Sequence, residues 1–281
     1  MASKQFGNIT INTSHYDDVA KSYRYKFPQS VAFRNAKVSV QSLAVYNSTY
    51  NITADRQNNK CTIKWLGTDY NLTLPDSFLD FNGFNYFLKQ QCLLNKLYCI
   101  TTSGDFVYFI NVSTNAATYK AQFDFYTIPT SAQATTLGYT IPSGATWAFP
   151  GTQTTPQLLI ANNLRSYFGF KTQTLFPLTP QNTNQTILSD PNAYPTVNPV
   201  FAYLLSCNLI NTKFSLEPGL LTQITVNTDF GGLMQMQGSH DSAIDVEDGS
   251  YSEITIKLLD QTLLPLQHVD KDLVLTLKLE F

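Results

Sequence analysis

The chain has 281 residues, of which 43% are hydrophobic and only 14% charged, with a formal net charge of −2. So much apolar and aromatic material excludes a disordered chain, while a charged fraction well under the usual ~25% leaves surface polarity to Asn, Gln, Ser and Thr. No Lys/Arg cluster interleaved with aromatics is there to track phosphates, so no direct nucleic-acid partner is expected, and no run of about 18 apolar residues offers a membrane span.

The N-terminal stretch "MASKQFGNITINTSHYDD" lacks the apolar core of a signal peptide, and synthesis in a cytoplasm is expected. Seven N-x-S/T triplets, at Asn8, Asn12, Asn47, Asn51, Asn71, Asn111 and Asn184, then read as chance in a chain rich in Asn and Thr. "KSYRYKF" sets Tyr23, Tyr25 and Phe27 on one face of a strand. "AKVSVQSLAVYN" alternates through Val38 and Val40 and then shifts phase at Leu43 and Val45, which predicts a bulge. "NNKCTIKW" and "DYNLTL" align Cys61, Ile63 and Trp65 against Tyr70, Leu72 and Leu74, a hairpin turning through Leu66 to Thr68.

Residues 80–95 change period: Phe84, Phe87, Leu88 and Gln91 share a helical face, with Asp80 or Asn82 as N-cap and Gly83 as a weak point. Strand signals return in "LYCITT", "DFVYFINV" and "ATYKAQFDFYTI", the last lining up Tyr119, Ala121, Phe123 and Phe125, with a tight turn at Ser103-Gly104-Asp105. From Pro129 to Pro199 the composition turns to Pro, Thr, Gln and Asn, with "PQLLI" as a short strand and "NNLRSYFGF" as a helical turn capped by Asn162 or Asn163 and stopped at Gly169. Alternation resumes in "PVFAYLLSCNLINTKF" and "LLTQITVN". It ends in two strands carrying Ile254, Ile256 and Leu258, then Leu273, Leu275, Leu277, Leu279 and Phe281.

A last strand that is apolar to its final residue must be clamped inside a sheet, beside strands from the other end of the chain. The pattern predicts an all-β fold: a single jelly-roll β-sandwich of two antiparallel sheets, with one short helix and a loop-rich mid-chain insertion. The expected division is 1–128 for the N-terminal strands and helix, 129–199 for the insertion, and 200–281 for the strands completing the same jelly roll. Cys61, Cys92, Cys99 and Cys207 sit in apolar surroundings without a C-x-x-C pair, which favours buried free thiols over disulfides or zinc.

The sequence names no catalytic, cofactor-binding or metal-binding residue. His15, His240 and His268 are isolated from one another. "QGSHDSAIDVEDGS" gathers Ser239, His240, Asp241, Asp245, Glu247 and Asp248, but neighbouring side chains point apart and cannot form a triad by adjacency. Its acidic part could ligate calcium; the plainer reading is a turn at Asp248-Gly249 leading into the Ile254 strand. Gly231-Gly232 is no phosphate loop, and Met234 and Met236 read as core or interface filler. The class that remains is binding or construction, and a surface poor in charge hints at assembly.

Four segments carry a family resemblance: "VSVQSLAVYNSTYNI", "LPDSFLDFNGFNYFLKQ", "LLSCNLINTKFS" and the closing "VEDGSYSEITIKLLDQTLLPLQHVDKDLVLTLKLEF". Together they resemble the penton, or minor capsid, proteins of virophages and Polinton-like viruses, over residues 36–126 and 200–281. The most specific element is the strand and turn "I-x-L-L-D-Q-x-x-x-P-L", followed by an aspartate and an apolar terminal strand. The resemblance implies a homopentamer at the icosahedral vertices of a virion, made in the host cytoplasm, with a double jelly-roll major capsid protein as partner. Tyr139, Trp147, Phe149 and Tyr194 are candidates for subunit contacts or for the core of the insertion. The alternative reading is a carbohydrate-binding jelly-roll lectin or receptor-binding module, with loop aromatics stacking on sugar rings. A polysaccharide-cleaving enzyme would need two carboxylates on one cleft, and none is identified.

Overall fold

The structure, a computed structural model, describes residues 6–211, 217–239 and 242–281. It divides into two compact units: residues 1–49 with 200–281, and residues 50–199. In chain order the first unit contributes β1 (Phe6–Asn12), β2 (Tyr16–Asp17), β3 (Ser22–Phe33) and β4 (Lys37–Tyr46). The second unit follows with β5 (Lys60–Trp65), β6 (Thr68–Thr73), α1 (Phe81–Leu94), β7 (Cys99–Ile100), β8 (Phe106–Val107), β9 (Ile110–Asn115) and β10 (Lys120–Phe125). It continues through α2 (Ser131–Leu137), β11 (Gln157–Ile160), α3 (Leu164–Tyr167), β12 (Leu175–Phe176) and β13 (Gln185–Leu188). The chain then returns to the first unit for β14 (Ala202–Cys207), β15 (Leu220–Thr225), β16 (Leu233–Gln237), β17 (Ile244–Asp245), β18 (Gly249–Leu259) and β19 (Leu273–Glu280).

In the first unit one sheet runs β1-β19-β4-β16, with β17 also on β4, and the other runs β15-β14-β18-β3-β2. Number its eight principal strands in chain order and the first pairs with the eighth, the second with the seventh, the third with the sixth and the fourth with the fifth, every pair antiparallel. That is one long hairpin rolled into two sheets, the jelly roll. The apolar C-terminus is explained: β19 is flanked by β1 on one side and β4 on the other. Its Leu273, Leu275, Leu277 and Leu279 face a core shared with Ile11, Val38, Val40, Leu43, Val45, Tyr203, Leu205, Ile254 and Ile256.

The phase shift in β4 is a bulge. Ser42 opposes Thr276 while Val40 opposes Leu277, so Gln41 is the unpaired residue and Val38, Val40, Leu43 and Val45 all stay buried. In β3 the ladder to β18 breaks between Lys26 and Val31. Pro28, which has no N–H to donate, sits inside that break.

The second unit has its own core between sheets β12-β11-β5-β6 and β13-β10-β9, closed by the helices. Leu66 (φ 48°) and Gly67 (φ 87°) make the two-residue turn of the β5–β6 hairpin, a conformation glycine adopts without a Cβ penalty. Asp80 caps α1 by accepting the Gly83 N–H at 2.6 Å. The buried helix face is Phe81, Phe84, Leu88 and Cys92; Phe87 and Gln91 are only half-buried, a rotation of the expected stripe. Tyr119 leaves the β10 face, turned out at φ 54° and exposed, whereas Ala121, Phe123 and Phe125 are buried.

The expected boundary at 128/129 is corrected by the pairing. β5 bonds to β11 and β10 to β13, so residues 50–128 pair with residues 129–199 and the whole stretch forms one unit between β4 and β14. Leu158, Ile160, Leu164, Phe168, Phe170 and Phe176, all in the part expected to be loop-rich, supply much of its core. The expected single helix is joined by α2, and α3 falls on the helical turn expected in "NNLRSYFGF".

Candidate assembly surface

For a protein read as a building block, the functional surface consists of its open sheet edges and any apolar side chains left outside. In the first unit β1 and β16 end one sheet, and β15 and β2 end the other. Edge strands are ordinarily blunted by Lys, Pro or inward charges, because their free N–H and C=O groups template further pairing. Here β1 reads FGNITIN, β15 LLTQIT and β16 LMQMQ, without a charge or a proline in any of them. The charges fall on the two-residue strands, Asp17 on β2 and Asp245 on β17, which lies beside β16 on the same edge of β4.

The outer face of the β1-β19-β4-β16 sheet adds apolar area. Val274 is 50% exposed between the buried Leu273 and Leu275, and register places it opposite Ala44. Leu233, 41% exposed, lies opposite the half-buried Tyr46 one row away. At the far end Lys278 Nζ sits 4.2 Å from the centre of the exposed Phe6 ring and 3.4 Å from Glu280, and Phe281 stacks on Phe33 with ring centres 5.7 Å apart. Sequence reading missed Phe6, Leu233 and Val274; the signal was an apolar residue on the polar phase of a strand.

The predicted contact aromatics separate differently. Trp147 packs edge-on against Trp65 at 5.1 Å, and its Nε1–H donates to the Lys96 carbonyl at 2.7 Å. Phe149 and Tyr139 also pack on the second unit's core, and only Tyr194, 78% exposed, stays on the surface.

The titratable groups that drew attention have structural duties. His268 is buried in a tyrosine cage: Nε2 lies 3.2 Å from Tyr23 Oη, Nδ1 lies 3.2 Å from the Leu266 carbonyl, and the Tyr16 ring meets it edge-on. Burial, with Lys271 nearby, pushes its pKa down to about 4 and keeps the ring neutral. His15 is half-buried at the capping turn after β1, its ring centre 5.5 Å from that of Tyr25. Of the acidic stretch, Asp245 pairs with Lys37 at 3.5 Å and Asp248 accepts the Asn35 N–H at 2.9 Å at the entry to β18. His240 and Asp241 lie outside the described residues, and among those described no three His, Cys, Asp or Glu side chains gather as metal ligands would. All four cysteines are free and buried, and burial raises Cys61, Cys92 and Cys99 to about 12 and Cys207 to about 11. No described helix is long and apolar enough to cross a membrane.

No protein-family model matches the chain, and no curated protein does. Among solved structures the chain is similar to the mavirus penton protein, with 13% identity and a TM-score of 0.43 over 99% of each chain. It is also similar to a chain in the cryo-EM structure of the Sputnik virophage, with 11% identity and a TM-score of 0.42 over 100% of this chain and 98% of that one.

Proposed function

We propose that this protein is a structural capsid subunit of the penton type, five copies of which close an icosahedral vertex of a virion. The observation that supports it most is a complete jelly roll whose open edges β1, β15 and β16 carry no charge, a surface suited to permanent neighbours and poorly suited to a free monomer. The segments that resemble virophage pentons fall on β4, α1, β14 and the β18–β19 pair, so they include the strands that close the sandwich. A ring of five needs a heterologous contact, one side of the subunit meeting a different side of the next, and a lasting interface of this kind buries on the order of 2,000 Å². Two dissimilar edges per sheet satisfy that requirement. The role is construction and not turnover, with a double jelly-roll major capsid protein as the surrounding partner.

Native mass measurement and negative-stain microscopy of the purified protein, alone and with the major capsid protein, test the proposal. Rings of five are expected in at least one condition. Placing Lys at both Asn8 and Thr10 of β1 should abolish them while leaving the monomer folded. A protein that stays monomeric in both conditions contradicts the assignment.

A further inference from the structure

The second unit contains a groove of about 740 Å³, within the 300–1,000 Å³ range of small-ligand sites. Its apolar wall is formed by Val107, Tyr108, Phe109, Tyr126, Leu137 and Tyr139, and no lining side chain is charged. The polar part of the lining is a chain of neutral hydrogen bonds. Gln133 Oε1 accepts the Thr130 N–H at 2.9 Å in the capping box of α2, and Gln133 Nε2 donates to Gln153 Oε1 at 3.0 Å. Gln153 Nε2 donates to Thr127 Oγ1; the Thr127 hydroxyl and N–H in turn donate to Asn184 Oδ1 at 3.3 and 2.9 Å.

That chain fixes which way each amide faces. Asn184 Oδ1 is engaged by Thr127, so its Nδ2 group is left with both hydrogens available, and no protein acceptor takes them among the described residues. The hydroxyls of Tyr108, Tyr126 and Tyr139 also have no protein partner among the described residues, although all three rings line the groove. Tyr126, the residue after β10, is 41% exposed and offers a ring to anything entering.

These features select a ligand by chemistry. An anion would be desolvated among lining side chains that carry no charge; the nearby Lys89 Nζ stands 5.7 Å from the centre of the Tyr108 ring, held as a cation over that ring. A wholly aliphatic ligand would cover the phenols and the Asn184 amide without pairing them, stripping each of its water for no return. A ring with one apolar face and a rim of hydroxyls satisfies both parts of the lining, stacking on tyrosine and accepting from Asn184 Nδ2. The geometry points to a binding site for a neutral sugar in the second unit, between β10 and α2. This goes beyond the capsid proposal and does not depend on it, since sugar binding and assembly state are read separately.

Saturation-transfer NMR and isothermal titration of the full-length protein with lactose, cellobiose, N,N′-diacetylchitobiose and 3′-sialyllactose provide the test. At least one neutral disaccharide should saturate below about 10 mM, and the sialylated sugar should bind no better than lactose. Tyr126→Ala should weaken binding at least tenfold. Asn184→Asp keeps an oxygen acceptor for Thr127 while replacing the free amide donor with a second carboxylate oxygen and a negative charge; it should weaken binding of a neutral sugar to a similar degree with tryptophan fluorescence unchanged, a result that a purely structural role for Asn184 would not give. Saturation by none of the neutral sugars, tighter binding of the charged one, or full binding by both variants would overturn the inference.

Discussion

The two units solve the same packing problem with different materials. The jelly roll draws its strands from both ends of the chain and fills its core largely with Leu, Ile and Val. The second unit is one contiguous stretch, and its core is aromatic: Phe123 alone meets the rings of Phe125, Phe168, Phe170 and Phe176 at centre distances of 4.9 to 6.3 Å, Phe168 being the nearest of the four. Aliphatic side chains suit two long facing sheets, where alternation alone delivers a continuous layer. Short strands of two to six residues cannot do this, and large rings fill the irregular space between them. The unit with the longer closure depends on its last strand; the contiguous unit does not.

That contrast can be broken experimentally, because each unit carries its own reporter. Both tryptophans, Trp65 and Trp147, lie in the second unit, and Cys207 is the first unit's only cysteine. The largest effect is expected from Leu275→Asp, which puts an unpaired charge into the fully buried face of β19; a loss of about 5 kcal/mol should expose Cys207 to thiol reagents while tryptophan fluorescence stays native. Phe123→Ala should do the reverse, costing about 3–5 kcal/mol in the second unit and shifting only the fluorescence-detected transition.

His268 sharpens the comparison through pH. Its folded pKa of about 4 lies below the ordinary 6.5, so between those values the unfolded chain binds a proton that the folded one does not. Stability of the first unit should therefore be full above pH 6.5 and fall by about 3 kcal/mol as pH drops to 4. Denaturation followed by Cys207 labelling across that window measures the slope, and His268→Gln should flatten it. The smallest effect is the α1 cap: Asp80→Ala should cost about 1 kcal/mol, visible in the fluorescence transition alone.

The elements legible in the sequence were those whose signal is local. The β4 bulge at Gln41, the Leu66-Gly67 turn, the Asp80 cap and the alternation of β19 each follow from neighbouring residues. Pairing partners do not. Nothing near Lys64 announces that it will lie opposite Gln157, or that Phe123 will lie opposite Ile187, and so the boundary of the inserted unit was set too late in the chain. The helix α2 did leave a trace, the Thr130 to Gln133 capping box and the left-handed Gly138, in a stretch whose composition suggested loop. The β16 edge was hidden because "LMQMQ" alternates without a β-branched residue. The groove of the second unit could not be seen at all, since Tyr108, Tyr126, Gln153 and Asn184 come together only after the sheets form.

β19 closes the first unit from between β1 and β4, and the second unit, a contiguous stretch with a core of its own, should fold without it. Removing residues 273–281 and measuring Cys207 reactivity and tryptophan emission on the same sample tests this directly. The expected result is a fully reactive Cys207, a protein prone to aggregate, and tryptophan emission still that of buried indoles. A truncated protein with Cys207 still protected and its melting unchanged, or one in which the tryptophan signal collapses together with the thiol protection, would contradict it.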